Sequence, residues 1–350
     1  MIEEFMSSRW GGYAVMAVML GAIALLLRFL YGPRGILRDP RWNEESPCIR
    51  SEKNAEPQPP KEGFLLDMLY PPAQDIPLSP SRLLSFDEHC SLFRHYAAGF
   101  TSDSPEDAPI RLKEAHSLRV YAHVENIVGT EQMPDDIGRA ALLAGLYHDC
   151  GRFPQFRQYR TFADAASVNH ARIGLDVLKK KGFLTGEKQY VRALAHTAVL
   201  LHNRSTLPES LLPDARLVTD VVRDADKLDI ICIMVSHFDQ ALPENDAVFL
   251  HVEDNPEAYS PKLVQDVLAG RVISYRDLRY VNDFRLLLGT WTHELRFSVT
   301  REILRTSGHL EKVFAGLPDT PEIRAAVAYL RELLNACPSP VAEGSKGGAG

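Results

Sequence analysis

The stretch Arg139–Phe153, RAALLAGLYHDCGRF, constrains this chain more than any other. From Ala140 to Tyr147 it is apolar almost all round. A helix of that kind has no solvent face and must lie inside a packed body. It then delivers His148 and Asp149 side by side, just before Gly151. A carboxylate at the end of a buried segment is costly unless it is paired or bound to a cation. Neighbouring helical side chains diverge by about 100°, so the two residues do not stack and can instead grip an ion lying between them.

Around this stretch the pattern is helical from about residue 81 to 337. Apolar positions recur at i, i+3, i+4 and i+7 over Phe86–Phe100, Ala108–Val128, Asp136–Cys150, Ala166–Lys180, Glu187–His202, Leu217–Phe238 and Val281–Arg305. A last helix is expected over Pro321–Asn335, with Pro in its first turn. Breaks fall at Gly151–Pro154, Lys181–Gly186 and Leu207–Pro213. No alternating run of Val, Ile and Thr suggests a sheet, so the expected fold is one all-α domain over 81–337.

Outside that domain the chain changes character. After a short N-terminal segment, 1–10, residues 11–31 form an apolar run; no charged residue occurs from Trp10 to Leu27. About 20 helical residues span a bilayer core of roughly 30 Å. Trp10 and Tyr31 bracket the run, and Arg28, Arg34, Arg38 and Arg41 follow it. The expectation is a single-pass signal anchor with the C-terminal domain in the cytoplasm. Glu3 and Glu4 make the first residues net acidic, unlike the basic start of a cleaved signal peptide. Residues 32–80 are rich in Pro and charge and read as a tether; 338–350 read as a disordered tail. The five cysteines, Cys48, Cys90, Cys150, Cys232 and Cys337, are odd in number and form no CxxC pair, as reduced thiols in a reducing compartment do. The net charge of −7 gives no basic field for duplex nucleic acid.

Other polar residues on the apolar helices fall at intervals: His116 in KEAHSLRV, His170 in SVNHARIG, His196 in RALAHTAV and Asp226 in RDADKLDI. The order is H, HD, H, H, D, with gaps of 32, 22, 26 and 30 residues. Each gap is about one helix and a turn, so five consecutive helices bring their groups to one interior point, as bundles do in building metal sites.

Together His116, His148–Asp149 and the ADKLD aspartate, Asp226, resemble the HD-domain superfamily of metal-dependent phosphohydrolases, over roughly residues 86–305. HDCGRF followed by TFADAASVNHARIG is similar to a bacterial, dinuclear branch with two further histidines. The resemblance implies one metal on His116, His148, Asp149 and Asp226. It implies a second on His170 and His196, with Asp149 shared. The reaction implied is cleavage of a phosphoester or phosphoanhydride of a nucleotide or other small phosphorylated molecule by a metal-activated water.

Imidazole and carboxylate ligands suit one or two divalent ions of Mn, Fe, Co, Ni or Zn, and spacing does not choose among them. Asp229, one turn after Asp226, is a candidate to orient a ligand. Asp149, Arg152 and Lys227 are the candidate catalytic residues, and Arg152, Arg157, Arg160, Arg204 and Lys227 the candidate contacts to an anionic substrate. His202 competes with His196 and reads as a helix cap or pocket rim; His89, His95, His123, His237, His251, His293 and His309 read as structural. No GxSxG elbow or GYP motif follows the doublet. Two other readings stay open: a di-iron oxygenase on the same ligands, and a non-catalytic nucleotide-sensing module.

Overall fold

The computed structural model describes residues 82–102, 104–239 and 252–336. Among them every regular element is helical. The longer helices are α1 Phe86–Ala98, α2 Ala108–Thr130, α3 Asp135–Tyr147, α4 Arg152–Tyr159, α5 His170–Lys181, α6 Gln189–Leu201, α7 Pro213–Asp239, α8 Pro261–Leu268, α9 Val281–Thr290, α10 Ser298–Ser307, α11 His309–Ala315 and α12 Pro321–Asn335. One isolated bridge pairs Glu253 with Tyr280. The apolar run 11–31, the tether 32–80 and the tail 338–350 lie outside the described residues. Within the described residues no helix is long and apolar enough to cross a membrane.

Local chemistry sets the helix ends. Ser85 and Glu88 form a reciprocal capping box at the start of α1, each side chain accepting from the other's backbone N–H. Asn169 caps α5, its Oδ1 accepting from Arg172 N at 3.0 Å. That cap starts α5 at His170, later than the periodicity from Ala166 suggests, because Asp164–Ala166 form a separate 3-10 turn. The expected helix Val281–Arg305 is likewise interrupted, by a 3-10 turn at Trp291–His293 and an extended step at Phe297.

Helix α7 is the spine. Val218, Val221, Val222 and Ala225 belong to a core shared with α1 to α6. Leu228, Ile231, Met234 and Val235 belong to a second core, shared with α8 to α12. Each buried aliphatic side chain of this kind contributes roughly 1.5–3 kcal/mol. Asp226 stands between the last α7 residue of one core and the first of the other.

The turn carrying the HD doublet packs backbone to backbone on α5. A Cβ on Gly151 would meet His170 O at 2.1 Å and Gly174 N at 2.5 Å. Only glycine allows this approach, which brings the doublet against the start of the helix that carries His170.

Candidate metal centre

Four imidazoles and two carboxylates converge at the junction of α2, α3, α5, α6 and α7. His116 Nε2 lies 3.2 Å from His148 Nε2 and 3.1 Å from Asp226 Oδ1. On the other side, His170 Nε2 lies 3.1 Å from His202 Nε2. Asp149 stands between the pairs and divides its oxygens. Oδ2 is 3.5 Å from His116 Nε2 and 3.6 Å from His148 Nε2. Oδ1 is 3.3 Å from His170 Nε2 and 3.7 Å from His202 Nε2. All four histidines and Asp149 are buried.

Each ring is held by its outer nitrogen. His116 Nδ1 is 2.7 Å from Asp229 Oδ2, and Arg119 grips the same carboxylate from its far side at 2.6 Å. His170 Nδ1 is 2.8 Å from Asp164, whose carboxylate also takes Arg152, Gln155 and Asn203. His148 Nδ1 reaches Gly145 O, and His202 Nδ1 reaches Val199 O, each at 2.8 Å. These acceptors place the ring proton on Nδ1, so all four Nε2 lone pairs point inward.

Two lone pairs facing each other at about 3 Å repel unless a proton or cation lies between them. The carboxylates add negative charge to the same space. Burial opposes the ionisation of Asp149, yet the Lys113 and Arg152 cations beside it hold its carboxyl well below the usual range. Burial and Arg152 lower His170 to about 4, which keeps that ring neutral. Asp226 Oδ1 is buried with no hydrogen-bond donor among the described residues. The residues present therefore fit divalent cations bound by nitrogen and oxygen. Two triads, His116–His148–Asp226 and His148–Asp149–His202, each gather ligand atoms within 4.8 Å.

The match to a known family covers this cluster. Residues 114–231 match the family model described as HD domain. Over that segment the chain is similar to the HD domain. Its superfamily is metal-dependent and hydrolase-like. The HD segment contains all six converging residues and ends within α7. No curated protein and no solved structure gave a significant match to the chain.

The geometry changes one member of the expected ligand set. His196 lies in mid-α6, half-buried, and is absent from the cluster; burial, Lys179 and Arg192 lower its ionisation to about 4. His202 takes the place expected for it. His202 is the C-cap of α6, just as His148 is the C-cap of α3. In both, the ring bonds the carbonyl three residues back, which aims Nε2 beyond the helix end. A histidine in mid-helix has its neighbouring carbonyls already bonded along the helix and is not held this way.

The expected substrate contacts divide as well. Arg152 lies at the cluster, with Nε 3.4 Å from Asp149 Oδ1. Arg157 is turned away, donating to Gly99 O over the Phe100 ring, and Arg160 lies over Phe156. Arg204 is exposed, and its carbonyl accepts from Arg223. Lys227 is buried beside Asp226, but its ammonium pairs with Glu294 at 3.4 Å. Glu294 also takes Arg223 at 3.1 Å, and Arg223 donates to the His202 carbonyl. Glu294 follows the 3-10 turn after α9, outside the HD segment. Sequence reasoning missed it because its partners lie about 70 residues away. Next to it, Asp224 accepts from Arg296 N and Phe297 N, so it faces away from the cluster and leaves Asp226 as the inward carboxylate.

Glu294→Ala should remove the carboxylate that pairs directly with both Arg223 and Lys227, whose side chains are 10% and 9% exposed. The expected loss is about 2–4 kcal/mol of stability. It is read as a lower urea midpoint at constant slope. A midpoint unchanged from the parent would show that solvent already compensates these charges.

Proposed function

We propose that this protein is a metal-dependent phosphohydrolase, cleaving a phosphoester or phosphoanhydride bond of a nucleotide or other small phosphorylated molecule. One observation carries the reading: Asp149 gives one oxygen to each of two imidazole pairs. His116, His148 and Asp226 would hold one divalent ion and His170 and His202 a second, with Asp149 common to both. Such ions acidify a water molecule and offset negative charge on phosphoryl oxygens.

The protein's own groups do the rest. Asp229, Asp164 and the carbonyls of Gly145 and Val199 keep the ring protons on the outer nitrogens. Arg152 brings positive charge to the edge of the cluster. Cys150, next to the doublet, is no nucleophile: its thiol donates to Gly174 O, and burial pushes its ionisation far up. The apolar run at 11–31 would tether this activity to a membrane, with the domain on the cytoplasmic side.

The test uses the full-length protein, stripped of metal and reloaded with Mn²⁺ under anaerobic conditions. A panel of nucleoside mono- and triphosphates and simple phosphate esters is screened for phosphate release. Release that depends on the metal and stops with chelator is expected. Substrate loss that requires O₂ and frees no phosphate would replace this reading with the oxygenase.

A further inference from the structure

Asp149 is met by two cations as well as by imidazoles. Lys113 Nζ donates to its Oδ2 at 2.8 Å, and Arg152 Nε approaches Oδ1 at 3.4 Å. The two side chains are 15% and 16% exposed, so neither is an ordinary surface charge. Both lie beside the Phe162 ring, at 5.6 and 5.7 Å from its centre. The pair comes from different elements: Lys113 stands one turn before His116 on α2, and Arg152 opens α4.

Among the described residues, both side chains keep donors that the protein does not take up. Arg152 Nη1 is taken up by Gln155, the Phe162 carbonyl and Asp164. Its Nε–H is buried and has no hydrogen-bond partner among the described residues. A buried donor left unmade costs about 1–3 kcal/mol. Lys113 has three N–H donors, of which one is directed at Asp149. Donors from two cations therefore flank the shared carboxylate, on the side walled by Phe162. A tetrahedral oxyanion presents several acceptors to such a pair, and charge-assisted bonds of this kind are about twice as strong as neutral ones.

Resting on the phosphohydrolase reading, we infer that Lys113 is a substrate-binding residue that receives the phosphoryl oxygens together with Arg152. Lys113 lies one residue before the HD segment, and its neighbours Arg111 and Glu114 carry no such contact to the cluster. The role belongs to the side chain that reaches Asp149.

Full-length Mn²⁺-loaded protein and its Lys113→Met and Lys113→Arg variants are titrated with inorganic phosphate by calorimetry, and bound metal is measured in each. Lys113→Met should keep the parent's metal content and lose roughly tenfold or more in phosphate affinity, about 1.4 kcal/mol. Lys113→Arg should recover most of that affinity. Phosphate affinity unchanged in Lys113→Met overturns the inference. Metal lost from Lys113→Met also overturns it, since the lysine would then serve only to hold Asp149. A parent protein that binds neither metal nor phosphate overturns the phosphohydrolase reading itself, and this inference with it.

Discussion

Asp149→Asn should reduce phosphate release by roughly a thousandfold or more, about 4 kcal/mol of transition-state stabilisation, and should lower bound metal in the same preparation. The carboxylate is buried and faces both imidazole pairs, one oxygen to each. The amide keeps its size but offers one acceptor in place of two. Its NH₂ group must then face an inward lone pair or the Lys113 ammonium. Lys113 and Arg152 also lose their common counter-charge. Elemental analysis beside the turnover assay checks the result, and circular dichroism shows whether the helices persist. Metal content and turnover both near the parent's would mean that Asp149 is a structural helix-end residue.

His202→Ala and His196→Ala should differ sharply, although both lie on or at the end of the same helix. His202→Ala leaves His170 Nε2 without the imidazole 3.1 Å away. It should halve the bound metal and lower turnover by about 10²- to 10³-fold. His196→Ala should leave both quantities within about twofold, since its ring lies near Lys179 and Arg192 and touches no member of the cluster. Calorimetric titration with the metal alone separates the two variants without a substrate. The reverse outcome would restore His196 as the ligand and remove His202 from the site.

This pair shows where the sequence is legible and where it is not. The buried run Ala140–Tyr147 can only be an interior helix, and it is one. His116 and Asp226 stand on apolar helices at spacings that bring them to the doublet, and the structure gathers them within 3.6 Å of His148 Nε2. The choice between His196 and His202 turns on a helix end. Periodicity locates such ends only to within a few residues, and that margin decides which ring can bond a carbonyl three residues back. The matched pairs His148–Asp149 and His202–Asn203, each a histidine at a helix end with a polar residue after it, were a usable signal.

Partners distant in sequence were less accessible. Asp229 could be suggested because it is one turn from Asp226. Asp164, Lys113 and Glu294 could not, because each gains its meaning from a partner on another element. Arginines gave the weakest reading. Arg152 reaches the cluster, while Arg157 and Arg160 find carbonyls and rings nearby, which a list of charges does not reveal. Short helices such as α8 and α11 fell below the length at which a helical period can be recognised.

The most direct test is the metal content of the full-length protein purified without chelator, together with the location of its metal by anomalous scattering in crystals. Two divalent ions per chain are predicted, one beside His116, His148 and Asp226, the other beside His170 and His202, with Asp149 touching both. Protein that carries no metal and hydrolyses its substrate undiminished in excess chelator would contradict the account.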